Sequence, residues 1–302
     1  MDSSNIYDKV SEHYSSASRS TSVKYGEAVA KSFGYSADEL ANIPQDANLG
    51  LSCGNPLAIA SLKEGETVLD LGSGAGFDIF LASTKVGPSG RAIGIDMNDD
   101  MLARANQILT TQPPTTQNNT SFLKANITSI PLPAHTADCI ISNCVINLVP
   151  RADKSAVFRE MYRLLKPSGG GSGGGRIAVS DILAKKPLPE KLSADLAMYV
   201  GCIAGASEVG EYERWLREAG FRDVMIVDTK ADLNVYLETG EDGEKKGGCC
   251  APPSAGGCGE AETVAAAATT GGSGCCIPAG VVSEKTDLNE FVGSYKIFAT
   301  KN

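Results

Sequence analysis

The stretch Thr67-Val68-Leu69-Asp70-Leu71-Gly72-Ser73-Gly74-Ala75-Gly76-Phe77 decides how this chain folds. Thr67 to Leu71 is a short apolar run of strand type, Gly72 to Gly76 a glycine turn, and Phe77 to Val86 carries a helical pattern. Arg91 to Asp96 (RAIGID) then reads as a second strand ending in a carboxylate. A βαβ unit with glycines at the carboxyl end of its first strand and an acid 20 residues after Gly76 is the signature of a nucleoside-cofactor site. Glycines admit positive φ and let a cofactor approach the backbone, while the acid accepts hydrogen bonds from ribose hydroxyls. The spacing here is G-x-G-x-G, with Asp70 inside the strand and Phe77 where a dinucleotide site usually has its third glycine.

Outward from this unit the alternation continues. Asp99 to Leu109 reads as a helix, Ser121 to Lys124 as a strand, and, after the Pro-bounded loop IPLPAHTA, Asp138 to Ser142 as another strand. A helix over Asp153 to Leu165, a strand over Arg176 to Ser180, helices over Ser193 to Ile203 and Val209 to Ala219, and a strand over Val224 to Asp228 follow. Such alternation builds a mostly parallel sheet with helices on both faces. The last apolar run, Phe291 to Thr300, is expected to pair antiparallel with Val224 to Asp228 as the seventh strand. Upstream, Asn5 to Tyr14, Val23 to Phe33 and Ala37 to Ile43 read as helices, the last started by a capping box of Ser36 and Glu39.

The chain has 302 residues and a formal charge of −9, from 27 Lys and Arg against 36 Asp and Glu. That balance argues against a sequence-independent grip on nucleic acid phosphates. With 42% apolar and 21% charged residues there is material for a buried core, which excludes wholesale disorder. No apolar run approaches the roughly 20 residues of a membrane span, and the first thirty residues lack the apolar core of a secretory signal. The expectation is a soluble, cytoplasmic protein that handles a small molecule and binds neither membrane nor nucleic acid.

Two entries in the composition stand out: 33 Gly, and nine Cys beside two His. Six glycines fall in Ser168 to Gly175 (SGGGSGGG), which resembles a flexible linker, engineered or natural, and is assigned no function. Ten more fall between Glu241 and Val282, a tract with no aromatic residue and no sustained period, which reads as a mobile insertion. Five cysteines lie there: Cys249, Cys250, Cys258, Cys275 and Cys276. In a reducing compartment, thiols point to metal, metalloid or redox chemistry, or to small buried side chains, before they point to structural disulfides. Cys139, at the start of an apolar strand, reads as core. Cys144 lies two residues beyond the strand DCIIS, at the sheet edge where open α/β folds bind ligands. Cys53 precedes Asn55 and Pro56, an expected N-cap and N1 pair, and a helix N-terminus there favours its thiolate. Cys202 closes the expected helix over Ser193 to Ile203. Zinc fits poorly, because the folded cysteines show no C-x-x-C spacing.

The glycine loop with its acids resembles the class I S-adenosylmethionine (SAM) methyltransferases. The segments Leu51-Ser52-Cys53-Gly54-Asn55-Pro56, Ile141-Ser142-Asn143-Cys144-Val145-Ile146-Asn147-Leu148 and Gly201-Cys202-Ile203-Ala204-Gly205-Ala206 make that resemblance narrower, to the arsenite SAM methyltransferases. It covers roughly residues 20 to 235. The resemblance implies a Rossmann-like α/β fold and methylation of trivalent arsenic for detoxification, with Cys53, Cys144 and Cys202 as both arsenic-binding and catalytic residues. It implies cofactor contacts at Asp70, Gly72, Ser73, Gly74, Gly76, Asp96, Met97, Asn126, Ile127 and Asn143. It also implies an external thiol reductant, thioredoxin or glutathione, with Cys249, Cys250, Cys275 and Cys276 as auxiliary thiols. On this basis the chain divides into a helical lid (1–65), a cofactor core (66–182, with the linker at 168–175), an arsenic-binding and sheet-completing region (183–240), the insertion (241–282) and a final strand (283–302). Many members of that family carry a further cysteine in the N-terminal helices, a candidate disulfide partner for the cysteine at the position of Cys53; this chain has none before Cys53, which leaves that partner open. Soft metalloid centres prefer thiolates, and an arsenic lone pair needs no general base to attack a methyl group. Two alternatives remain: a carbon or oxygen methyltransferase with inert cysteines, and a thiol-rich metalloid-binding protein without turnover.

Overall fold

The computed structural model describes residues 3–19, 23–169, 174–189, 202–234 and 287–302. The expected helix over Ser193 to Ile203, save its last two residues, lies outside these, as do the middle of the Gly/Ser segment and the whole 241–282 tract with its five cysteines.

Seven strands form one sheet: β1 (Thr67–Leu71), β2 (Arg91–Asp96), β3 (Thr120–Lys124), β4 (Cys139–Asn143), β5 (Arg176–Ala184), β6 (Arg222–Asp228) and β7 (Val292–Thr300), in the order β3-β2-β1-β4-β5-β7-β6. β1 to β5 pair in parallel, and β7 runs antiparallel between β5 and β6. The chain leaves β1 toward β2 and later returns to its other side with β4, so the topological switch, and the crevice it opens, lies beyond the carboxyl ends of these two strands.

Side chains alternate across the sheet as strand geometry requires. Ile140 faces a core with Phe158 and Met161 of α8 (Lys154–Leu164) and Tyr212, Trp215 and Leu216 of α9 (Val209–Ala219). Cys139 and Ile141 face the opposite core, built on Ile79, Leu81 and Val86 of α5 (Phe77–Val86). Cys139 is inert packing: burial pushes its thiol up to about 12. Each large side chain buried this way contributes about 1.5–3 kcal/mol.

Of the N-terminal helices α1 (Ser3–Ala17), α2 (Val23–Ser32) and α3 (Ala37–Ala41), α1 lines the crevice, and the capping box of Ser36 and Glu39 is present. Asn98 ties α1 to the core: its side chain caps α6 (Asp99–Thr110) at Met101 N and donates to Ser11 O at 2.8 Å and Ser15 Oγ at 2.9 Å.

The structure corrects two expectations. The element after Cys53 is only a four-residue helix, α4 (Leu57–Ala60), with Asn55 Oδ1 accepting from Ala58 N; Cys53 is buried and disulfide-bonded, so no helix terminus stabilises a free thiolate there. β5 runs four residues past Ser180, because Asp181, which reads as a polar stop, is buried and hydrogen-bonded within the strand. A short helix, α7 (Pro114–Asn119), also occupies the stretch between α6 and β3, to which the sequence pattern assigns no element; proline fits a helix's first turn.

Candidate active site

The crevice is a cleft of about 1050 Å³ including its open mouth, with Tyr7, Val10, Ser11 and Tyr14 of α1 on one side and the glycine loop on the other. Gly72 N and Ser73 N donate to Ile95 O at 2.7 and 3.0 Å, which turns the loop over the end of β2. Gly72 sits at φ +73°, and a Cβ there would lie 2.3 Å from a Val145 methyl carbon; only glycine fits. A Cβ on Gly74 would meet nothing nearer than Met101 Sδ at 3.9 Å. The backbone at Gly74 therefore faces open space on the cleft. Gly76 does not line the cleft: it lets the loop pack on Phe80 and Phe122. Asp70, Ser73, Asp96, Met97, Asn126, Ile127 and Asn143 all line it.

The residues fit a nucleoside cofactor. Ser73 Oγ is buried with no hydrogen-bond partner among the described residues, an acceptor and donor left for a ligand. Asp96 accepts Gly74 N and Asn98 N, each at 2.9 Å, and keeps lone pairs for hydroxyls. Three carboxylates share this wall. Burial, with the charges of Asp78 and Asp96, holds Asp70 well above the usual carboxylate range, and burial also raises Asp96. Asp78, in the first turn of α5, is pushed up to about 6 by burial, against hydrogen bonds from Tyr35 and Asn143 that lower it. A cation entering the cleft favours the ionised form of each, and each is attractive to it only when ionised.

Asn143 joins this wall to the cysteines. Its Nδ2 reaches Gly54 O and Asp78 Oδ2 at 2.9 Å and Tyr35 Oη at 3.1 Å, and its Oδ1 accepts Cys53 N at 3.3 Å. The Tyr35 hydroxyl donates to Asp78 Oδ1 at 2.5 Å. The Asn143 amide thus holds the Cys53 loop while the residue lines the cleft.

Cys53 and Cys144, 91 residues apart, form a disulfide. Cys144 lines the cleft; Cys53, Cys202 and Asp181 do not. Cys144 N donates to Ser180 O at 2.9 Å, and Cys202 Sγ lies 2.7 Å from Cys144 O. Both Cys144 (φ +61°) and Cys202 (φ +65°) adopt left-handed backbone, at a cost of about 1–2 kcal/mol each, strain of the kind that concentrates at functional sites. Behind the sulfurs is a buried polar cluster. Asp181 accepts Asn147 Nδ2 at 2.9 Å, its neighbour's amide at 3.0 Å and the Tyr212 hydroxyl at 3.0 Å. Lys154 reaches Asn147 Oδ1 at 3.4 Å, Ser207 Oγ at 2.9 Å and the Gly205 carbonyl. Burial raises Asp181 to about 7 against the opposing charge of Lys154, and lowers Lys154 to about 8.

A family model described as a methyltransferase domain matches residues 62–220. The chain belongs to the methyltransferase domain family. Within curated proteins, this methyltransferase is 43% identical over 216 residues to the arsenite methyltransferase of Halobacterium salinarum, covering 68% of this chain and 52% of that protein. It is 39% identical over 180 residues to the arsenite methyltransferase of Aquipseudomonas alcaligenes, covering 58% and 49%. The chain spans about half the length of these relatives. Among solved structures, an arsenic(III) S-adenosylmethionine methyltransferase from Chlamydomonas reinhardtii superposes with a TM-score of 0.54 at 22% identity, covering 91% of this chain and 73% of that one; at that identity the likeness concerns the fold, which is the class I methyltransferase fold expected.

The residues that sequence analysis of the methyltransferase passed over are Tyr35, Asp78, Asn147, Lys154 and Asp181. One signal was present for Asp181: an acid inside the apolar run Ile177 to Leu183. Among the described residues, no helix is long and apolar enough to cross a membrane.

Proposed function

We propose that this methyltransferase methylates trivalent arsenic with SAM as donor. The observation that carries the reading is the Cys53–Cys144 pair, whose Cys144 lines a cleft that fits a nucleoside. Once reduced, two thiols side by side suit a soft metalloid. Cys202, lodged on the Cys144 carbonyl, is the third thiol of the set. SAM, when bound, supplies an electrophilic methyl group. Gly72, Ser73 and Gly74 would hold its amino-acid and sugar portions with Asp96 on the ribose, and the carboxylates of Asp70 and Asp78 favour its cationic centre. Cys53 and Cys144 hold arsenic with its lone pair free, α1 excludes water, and orientation supplies the catalysis without a general base.

Methylated arsenic at the +5 level needs two electrons to return to +3. Cleavage of its bonds to two cysteine sulfurs, with formation of an S–S bond, supplies them and leaves the Cys53–Cys144 disulfide described here. An external thiol, such as glutathione or thioredoxin, then reduces that disulfide. A partner cysteine upstream of Cys53 is not needed in such a cycle. The test incubates protein, SAM, a thiol reductant and arsenite, and follows methylated arsenic together with S-adenosylhomocysteine. Both should accumulate in an arsenite-dependent way. Cofactor-binding protein that yields neither would sink the proposal, and a carbon or oxygen methyltransferase would show no arsenite dependence.

A further inference from the structure

Lys154, the first residue of α8, is buried, and most of its hydrogen bonding goes to one short segment. Its Nζ donates to the Gly205 carbonyl, to Ser207 Oγ at 2.9 Å and to Asn147 Oδ1 at 3.4 Å. Asn147 Nδ2 in turn donates to Cys202 O at 3.3 Å, to Ile182 O and to Asp181 Oδ1 at 2.9 Å. From this arrangement we propose that Lys154 is a positioning residue for the third thiol. Acting with Asn147, it clamps the turn from Cys202 to Ser207 against β5, which keeps Cys202 in reach of arsenic bound to Cys53 and Cys144. The proposal rests on the As(III) reading above and assigns the device that holds one of its three sulfur ligands in place.

The three cysteines have different supports. Cys53 and Cys144 are joined to one another, and a carboxylate oxygen of Asp181 completes a triangle with their sulfurs, all within 4.8 Å of one another. Cys202 is not a member of that triangle, although it packs in the same buried cluster as the other two cysteines. Its sulfur contacts the Cys144 carbonyl, and its backbone is left-handed at φ +65°. A conformation of that kind persists only where its surroundings impose it. Among the described residues, the contacts that do so are the Asn147 bond to Cys202 O, the two Lys154 bonds to Gly205 O and Ser207 Oγ, and the backbone bond from Ala184 N to Ser207 O. An ammonium carries three donors and no acceptor; the Gly205, Ser207 and Asn147 oxygens take all three. The charge of Asp181 favours the ammonium. A buried charge pair of this sort adds little net stability, because desolvation offsets the attraction. Its consequence lies in where it holds the turn.

A phosphine opens the disulfide (RSSR + PR'3 + H2O gives 2 RSH + OPR'3). Arsenite then exchanges its hydroxyls for thiols, As(OH)3 + 3 RSH giving As(SR)3 + 3 H2O, with arsenic at +3 throughout. The experiment is a double-mutant cycle on the full chain with Cys249, Cys250, Cys258, Cys275 and Cys276 replaced by Ser. Arsenite affinity is measured by equilibrium dialysis with elemental detection, without cofactor, for this parent, Lys154→Met, Cys202→Ser and the double variant. Lys154→Met should weaken arsenite about fivefold to fiftyfold where Cys202 is present, and less than about twofold in the Cys202→Ser background. S-adenosylhomocysteine affinity should stay within about twofold throughout. Equal losses in the two backgrounds would show a general structural role and overturn the proposal, as would no loss where Cys202 is present. Where Lys154→Met abolishes S-adenosylhomocysteine binding, Ser207→Ala takes its place in the same cycle. That change removes one acceptor of the clamp and should cost about threefold, again only where Cys202 is present. Failure of the As(III) reading looks different: the parent would then bind no arsenite, or would bind it equally well with Cys53→Ser, Cys144→Ser and Cys202→Ser.

Discussion

The two walls of the cleft are built in opposite ways. The cofactor wall comes from one continuous stretch, β1, the glycine loop and α5, with Asp96 at the end of the neighbouring strand. The sulfur wall reaches the cleft at Cys144, and behind it Cys53, Asp181 and Cys202 meet only because β4 and β5 are neighbours and the α4 approach folds over them. Local backbone geometry makes the first wall, and long-range packing makes the second. Changes to each should therefore fail differently.

The largest effect should separate the walls outright. Cys144→Ser is expected to reduce arsenite methylation to below about 1% by removing a soft ligand, while calorimetry shows S-adenosylhomocysteine affinity unchanged. An equal fall in both would mean that the walls are one unit. Next comes the glycine loop. Gly72→Ala places a methyl group against Val145 at a positive φ and should weaken S-adenosylhomocysteine binding about tenfold or more. Gly74→Ala, with open space ahead, should cost less by the same titration. Equal losses would show that φ and not contact governs this loop.

A smaller effect is electrostatic. Asp78 carries its charge above about pH 6, so affinity for cationic SAM should rise about three- to tenfold between pH 5 and 7. Neutral-centred S-adenosylhomocysteine should show less of that rise, and Asp78→Asn should flatten it. A pH-independent difference between the two ligands would remove Asp78 from the account. The smallest effect concerns neither wall. Asn234 Nδ2 donates to Asp287 Oδ1 at 2.9 Å and Asn289 Nδ2 to Asp232 Oδ1 at 2.6 Å, which stitches together the ends of the excursion between β6 and β7. Deleting Asp242 to Gly280 should then change S-adenosylhomocysteine affinity by less than about twofold. Loss of folding would contradict that independence.

Much of the fold was legible because strand and helix periodicity is local. β1, α5, β2 and α9 have the boundaries that their apolar patterns imply, and β7 pairs with β6 as its apolar composition suggested. Cys139 read as core and is core. What misled was polarity inside a buried element: Asp181 looks like an end to β5, yet Tyr212, Asn147 and Lys154 come from elsewhere in the chain to compensate it. Gly76 belongs to the same glycine motif as Gly72, but whether each faces a ligand or a phenylalanine depends on α5 and β3. Asn143 read as a cofactor contact; its amide is committed to Cys53, Gly54, Tyr35 and Asp78, partners that no spacing rule connects.

By itself, the sequence determined the βαβ unit, the glycine turn with its acids, and the candidacy of three cysteines, since all of these follow from residue type and short-range spacing. Only the tertiary structure decided that Cys53 pairs with Cys144, that Cys202 turns its sulfur to a carbonyl, and that a carboxylate stands at the third corner. Those outcomes depend on which strands lie side by side and which polar groups find partners once buried, and a linear pattern of residues does not carry that information.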